Sequence, residues 1–518
     1  MRLRQLWLSI AVLAAAFTCA AAASAAVVSP AVQPTGTWKP LAASFRPADL
    51  PQVCGANGAL CYFPPDLQQV YNFPTGPGAP TGAGQTILVV TAYGAPFMAE
   101  VLSTFNAWME LPDAPFEIYN QKTPVPSAEG SGETFPWQVE TALDVEWAHA
   151  MAPGARIVLA VASSDDTLDV AQLLKEALPK YRGAVVTQSF GSDETGPASD
   201  PTAPRTLRPL YAAALRRGGT ILASSGDWGA SNATELEARR YPQLGITPSA
   251  MALYPASDPL VLAVGGTQGT TPEGLWSPNG GYGGEQVWNE VWQGFPGASG
   301  GAPSTLFAAP SWQRSVTRVR GRAVPDVAYN AAVNGGVFVA IACPPVTPDN
   351  LIYDPTRCRP TQPYTNAVGG TSAGAPQWAA IIALANELRA TKLRSSLGFV
   401  SPVLYDLASD RRTYARDFHD ILVGNNALDL RAFGAPSVSA FGFAARPGYD
   451  LATGLGTPNV ANLLADLSTR SSGEVDLGDG GEGDQGQGQG NDGNGNNGNG
   501  NGNNGNGNNG KSGKGKDH

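Results

Sequence analysis

Histidine is nearly missing from this 518-residue chain, which has only His149, His419 and His518. None of the three stands in the glycine-rich or strand-end setting of a triad histidine, so a Ser-His-Asp arrangement is poorly supported. Cysteine is sparse as well, five in all with no C-x-x-C pair, which argues against a zinc site. Charged residues make up only 15% and sum to −10, so the basic face that nucleic acid demands is lacking. Past the N-terminus no apolar run approaches the roughly 20 residues needed to span a bilayer. What is abundant is glycine, 62, and proline, 43, within a chain that is 42% hydrophobic. Such a composition has ample material for a core and many chain reversals between its elements.

The chain divides into four stretches. Residues 1–25 run from Arg2 and Arg4 through an apolar stretch, Leu6 to Phe17, to Ala23-Ser24-Ala25. That order predicts a secretory signal peptide, hence a secreted protein with no stable membrane insertion once the signal is removed. Cys19 leaves with it, and four cysteines remain for an oxidising compartment. Four allow three pairings; loop length alone favours Cys54 with Cys61 and Cys343 with Cys358. Residues 26–63 are proline-rich and lack periodicity, an extended lead-in with no large prodomain. Residues 64–470 form the globular domain. From 471 to 518 glycine and asparagine alternate with almost no large apolar residues, a tail that cannot offset its ordering entropy.

Within the domain short aliphatic runs alternate with helix-like stretches. Thr86 to Thr91, Arg156 to Ala162, Ala184 to Thr187, Thr220 to Ala223 and Leu260 to Val264 read as strands. Glu100 to Leu111, Thr167 to Lys180 and Arg208 to Arg217 read as helices. This alternation predicts an α/β fold with a central, mostly parallel sheet and helices on both faces. In such sheets ligands bind beyond the carboxyl ends of the strands.

Three segments carry the chemistry. Ser372 lies in Gly369-Gly370-Thr371-Ser372-Ala373-Gly374, ahead of an apolar run from Trp378 to Ala385 that reads as a buried helix. A serine there is either a helix cap or a nucleophile beside unpaired N–H groups. Glu140 and Asp144 recur four residues apart, beside the stripe of Val139, Leu143 and Trp147. On a helix the two acids face one way, at the edge of the buried stripe, partly desolvated and close enough to share a proton. Asp227 follows the Thr220 to Ala223 run directly, either a turn residue beside glycine or an acid at the ligand edge of the sheet.

Together these segments resemble the sedolisin family, most closely its kumamolisin-like members. The resemblance runs from about Leu67 to Leu467 and includes Val70-Tyr71-Asn72-Phe73-Pro74, Ala152-Pro153-Gly154-Ala155, Val264-Gly265-Gly266-Thr267, Val287-Trp288-Asn289 and Val324-Pro325-Asp326-Val327. It implies a subtilisin-like fold and an acid-acting serine endopeptidase working on protein or peptide substrates as a monomer. By position it implies Ser372 as nucleophile, Glu140 as general base, Asp144 as its proton-coupled partner and Asp227 as the oxyanion-hole acid. It also implies one structural calcium ion, held by the side chains of Asp420 and Asp450 and the carbonyl oxygens of Ile421, Arg446 and Gly448. The chain departs from the family at Phe190, where tryptophan is usual, and at Arg446, where glycine is usual. The alternative from another class is a catalytically silent secreted binding or adhesion protein on the same fold. A serine esterase would need a histidine partner and a Gly-x-Ser-x-Gly elbow, which the Ser372 segment does not show.

Overall fold

Runs of valine, isoleucine, leucine and threonine bounded by glycine form the strands of an eight-stranded sheet in the computed structural model of the chain. The structure describes residues 29–30, 33–34, 38–41, 60–113, 115–120, 134–195, 199–232, 249–270, 274–277, 281–292, 294–346, 352–433, 439, 441–471 and 473. The expected signal peptide at 1–25, the glycine-asparagine stretch from 474 on and Cys54 lie outside them.

The strands are β1 (Thr86–Ala92), β2 (Phe116–Tyr119), β3 (Arg156–Ala162), β4 (Val185–Gln188), β5 (Thr220–Ser224), β6 (Leu262–Gly269), β7 (Glu285–Val287) and β8 (Val327–Asn330). Their spatial order is β7-β6-β5-β4-β1-β3-β2, with β8 also paired to β6. All pairings are parallel except β6 with β7. The sixth strand starts two residues later than its apolar run and continues to Gly269. Continuation is possible because Gly265 and Gly266 sit where neighbouring chains press close: a Cβ on Gly266 would meet Ala331 at 2.7 Å.

A buried parallel sheet needs helices on both faces, and period-two alternation sorts its side chains between them. Ile87, Val89, Ile157 and Leu159 join one core with the helices α1 (Met98–Met109), α2 (Thr134–Met151) and, further along the chain, Gly374–Thr391. Leu88, Val90, Val158 and Ala160 join the other core with α3 (Thr167–Lys180) and α4 (Ala203–Leu215). The Gly374–Thr391 helix is α5. Helix α4 begins five residues before Arg208, with prolines at its first turn and inside it.

A second sheet stacks outside α2. Its central strands, Gly336–Ile341 and Tyr364–Gly369, pair antiparallel, and Cys61–Tyr62 extends it. Cys343 and Cys358 are disulfide-bonded just beyond the first of these strands. Among the described residues no helix is long and apolar enough to cross a membrane.

Candidate active site

Helix α2 is covered on every side, so its acids are more deeply placed than an amphipathic pattern predicts. Every described residue of its last fifteen, Trp137 to Met151, is buried. The second sheet accounts for this: Gln138 Nε2 donates to the Cys343 carbonyl at 2.7 Å, Trp147 Nε1 to the Phe338 carbonyl at 2.9 Å, and Ala340 N to Glu146 Oε2 at 3.1 Å. Partial desolvation of Glu140 and Asp144 therefore becomes complete desolvation; both are 0% exposed.

The serine arrives from the opposite side. Gly370, at φ +115°, turns the chain out of Tyr364–Gly369, and Thr371–Ala373 forms one tight turn before α5 begins at Gly374. That start is close-packed, since a Cβ on Gly374 would meet Tyr329 at 2.8 Å and Val264 at 2.9 Å. Ser372 Oγ lies 3.0 Å from Glu140 Oε2, across 232 residues of chain, and 3.4 Å from the Ser189 carbonyl. The hydroxyl can donate to either oxygen.

Asp144 joins through Ser189, whose Oγ donates to Asp144 Oδ1 at 2.7 Å. Burial pushes the Asp144 carboxyl well above the usual range, and the Ser189 hydroxyl pulls it partly back. Asp227 follows β5 and meets the residue before the serine: Thr371 N and Oγ1 both donate to Asp227 Oδ1, at 2.8 and 2.9 Å. Its Oδ2 accepts no hydrogen bond from a described residue. Burial raises the Asp227 carboxyl from 3.8 to about 6, against the lowering effect of the two Thr371 bonds.

Ser189 and Thr371 are site residues that the sequence alone did not single out. The signal was available for the first, because Ser189 directly follows β4 as Asp227 closely follows β5. His149 Nε2 contacts the Pro112 carbonyl and the His419 ring stacks on Tyr282, so neither bonds Ser372.

The lead-in reaches the same place. Ser29 and Pro30 pair antiparallel with Gly191 and Phe190, and Gln33 and Pro34 pair with Gly369 and Val368. Residues 29–30 thus pair with the strand after Ser189 and residues 33–34 with the strand before Ser372, and in this arrangement Ser372 is 0% exposed. Phe190 packs on Trp137 of α2, ring centres 5.9 Å apart.

Of the residues expected to hold calcium, the two acids lie beside one loop. Asp420 accepts from Gly448 N at 3.0 Å and Asp450 accepts from Arg446 N at 3.2 Å, so one short loop meets both carboxylates. Neither acid has an ion-pair partner among the described residues, and no described backbone amide donates to the carbonyls of Ile421, Arg446 or Gly448. Among the described residues no group of three or more His, Cys, Asp or Glu side chains could hold a metal. Two carboxylates with carbonyl oxygens is still a donor set that suits a hard cation, so the residues fit the ion.

No family model matches the chain. Kumamolisin from Bacillus sp. strain MN-32 is 31% identical over 424 residues, 79% of this chain and 64% of that protein. Sedolisin from Pseudomonas sp. strain 101 is 27% identical over 407 residues, 76% of this chain and 60% of that protein. Tripeptidyl-peptidase 1 from Rattus norvegicus is 30% identical over 350 residues, 64% of this chain and 52% of that protein. The chain therefore spans between half and two thirds of the length of these relatives. Among solved structures, Pseudomonas sedolisin, a serine-carboxyl proteinase complexed with two molecules of pseudo-iodotyrostatin, matches with a TM-score of 0.60 and 25% identity. That match covers 79% of this chain and 98% of the other, and it carries the subtilisin-like α/β fold with it. Over 76–79% of its length in sequence, and in fold, the chain is similar to the sedolisin family.

Proposed function

We propose that the chain is a secreted endopeptidase that hydrolyses peptide bonds in acid through an acyl-enzyme on Ser372. The observation that carries this is the 3.0 Å contact between Ser372 Oγ and Glu140 Oε2 inside a fully buried setting. A carboxylate is a weak base in water, but a buried one at hydrogen-bond distance needs no solvent reorganisation to accept the proton.

In the proposed cycle Ser372 Oγ attacks the scissile carbonyl carbon while its proton passes to Glu140. The developing oxyanion takes a hydrogen bond from protonated Asp227. Glu140 then returns the proton to the leaving amine as the C–N bond breaks. Water attacks the acyl-enzyme, Glu140 takes its proton, and Ser372 is restored. Asp144, held by Ser189, keeps a protonated carboxyl in the network and favours the ionised form of its neighbour. Burial raises the Asp227 carboxyl to about 6, and an acid that must hold its proton to donate supports a working range in acid.

The calcium site is part of the same proposal: Asp420, Asp450 and the carbonyls of Ile421, Arg446 and Gly448 would hold the ion. When bound it would tie the 446–448 loop to the segment after His419.

The test is hydrolysis of a denatured protein at about pH 4, compared with Ser372→Ala and Glu140→Gln. Loss of activity in both variants is expected. Full activity in either, or hydrolysis confined to simple esters at neutral pH, would overturn the assignment.

A further inference from the structure

Four arginines lie between positions 314 and 322, and among the described residues only one of them pairs with an acid. Arg322 is fully buried and pairs with Asp326 Oδ2 at 2.5 Å. Arg314, Arg318 and Arg320 make no ion pair with any described residue, in a chain whose net charge is −10. These three are exposed and line an open cavity of about 370 Å³ together with Ala309, Thr317 and Val319.

The loop that presents them is anchored. Gln313 is buried and bonds Ala323 in both directions, Nε2 to the carbonyl at 2.7 Å and Oε1 from the amide at 2.9 Å. Its carbonyl receives the amides of Val316 at 3.1 Å and Thr317 at 3.0 Å, and Ala309 N closes the loop on the Arg320 carbonyl at 2.8 Å. Thr317 Oγ1 accepts from Val319 N at 3.3 Å, which leaves its hydroxyl proton to donate. A charged run on its own would be a solvated face; an anchored loop, a cavity and three guanidinium groups without acids make a receptor for anions.

We infer that this cavity binds a phosphate or sulfate group. Guanidinium forks match a tetrahedral oxyanion with paired hydrogen bonds and stay charged at any working pH. The choice of a strong-acid anion over a carboxylate rests on the acid working range proposed above, where carboxylates take up protons while sulfates and phosphodiesters do not. None of the six lining residues belongs to the catalytic set, so the cavity is a second site, separate in its residues from that of Ser372.

Titration calorimetry on the full chain at about pH 4 tests this without any activity readout, so its failure is separable from failure of the peptidase proposal. The probes are sodium sulfate, sodium tripolyphosphate, dextran sulfate and sodium chloride at matched ionic strength. Saturable binding of sulfate or tripolyphosphate, weakened about tenfold or more in R318Q/R320Q, is the expected result. Tighter binding of dextran sulfate per sulfate group supports the site and points to a polymer as source; equal binding supports it and points to the free ion. If the double variant has a lowered thermal midpoint, Arg314→Gln is titrated in its place. Affinity unchanged in the folded variant, or binding equalled by chloride, overturns the inference.

Discussion

Thr371 gives Asp227 two hydrogen bonds onto a single oxygen, from its amide at 2.8 Å and its hydroxyl at 2.9 Å, one residue ahead of Ser372. The other oxygen of Asp227 is buried and has no hydrogen-bond partner among the described residues. The position of the acid relative to the serine is thus set by backbone as well as side chain, and several consequences can be measured.

The first concerns Asp227 itself. Its folded value of about 6 lies above the ordinary 3.8, so the folded state prefers the protonated acid. The stability penalty is absent below about pH 3.8, grows as pH rises, and is complete above about 6, where it amounts to about 3 kcal/mol. Chemical denaturation against pH should show this loss in the wild type and not in Asp227→Asn. Activity should fall over the upper part of the same window. Asp227→Ala should lower kcat by about 10²- to 10³-fold at the optimum, as expected for a lost oxyanion donor.

Thr371→Val removes the hydroxyl bond to Asp227 and the acceptor used by Gly226 N at 3.1 Å. Because that bond lowers the Asp227 value, its loss should move the alkaline limb of the kcat profile upward. The orphaned amide should cost about 1–3 kcal/mol in the same variant. An alkaline limb that stays in place would detach Asp227 from the pH dependence.

Ser189→Ala takes from Asp144 the hydroxyl donor at 2.7 Å, the one bond that pulls its carboxyl down. The acid should hold its proton still more tightly, and the variant should lose about 1–3 kcal/mol of stability at neutral pH but less in acid. Denaturation at two pH values distinguishes this from a simple packing defect, which would cost the same at both.

For the loop at 446–448, a chelator should lower the thermal midpoint of the wild type and leave that of Asp420→Asn with Asp450→Asn unmoved. Calcium returned after chelation should restore the wild type only. Equal midpoints with and without chelator in the wild type would remove the ion from the account.

The lead-in should act as an occupant of the site. Trp38 packs edge-on against Phe135, ring centres 6.0 Å apart, so a chain shortened to begin just before Trp38 keeps that contact and loses the pairings at 29–30 and 33–34. Such a chain should show a higher kcat/KM on a peptide substrate, with unchanged stability, than the chain that retains the segment. Identical kinetics would assign the pairings a purely structural role.

Much of the scaffold was readable from local pattern. Thr86–Ala92 and Arg156–Ala162 were recognisable because short β-branched runs bounded by turns have few other ways to satisfy their backbone groups. Asp227 stood out because it follows a strand of an open sheet, and Ser372 because it precedes an apolar helix. Other features depended on neighbours that no window of sequence contains. The stripe of Val139, Leu143 and Trp147 suggested a helix with one wet face, yet strand Gly336–Ile341 covers that face and leaves Glu146 bonded to Ala340 N, nearly two hundred residues away.

What the amino-acid order alone determined was the alternation of strand and helix and the residue types at the strand ends, since both follow from side-chain period and turn chemistry. Only tertiary structure decided which acids meet the serine: Ser372 reaches Glu140 across 232 residues and Ser189 links it to Asp144. Those contacts exist because two sheets close over α2 from opposite sides. Periodicity records the faces of one element, whereas convergence depends on how many other elements pack against them.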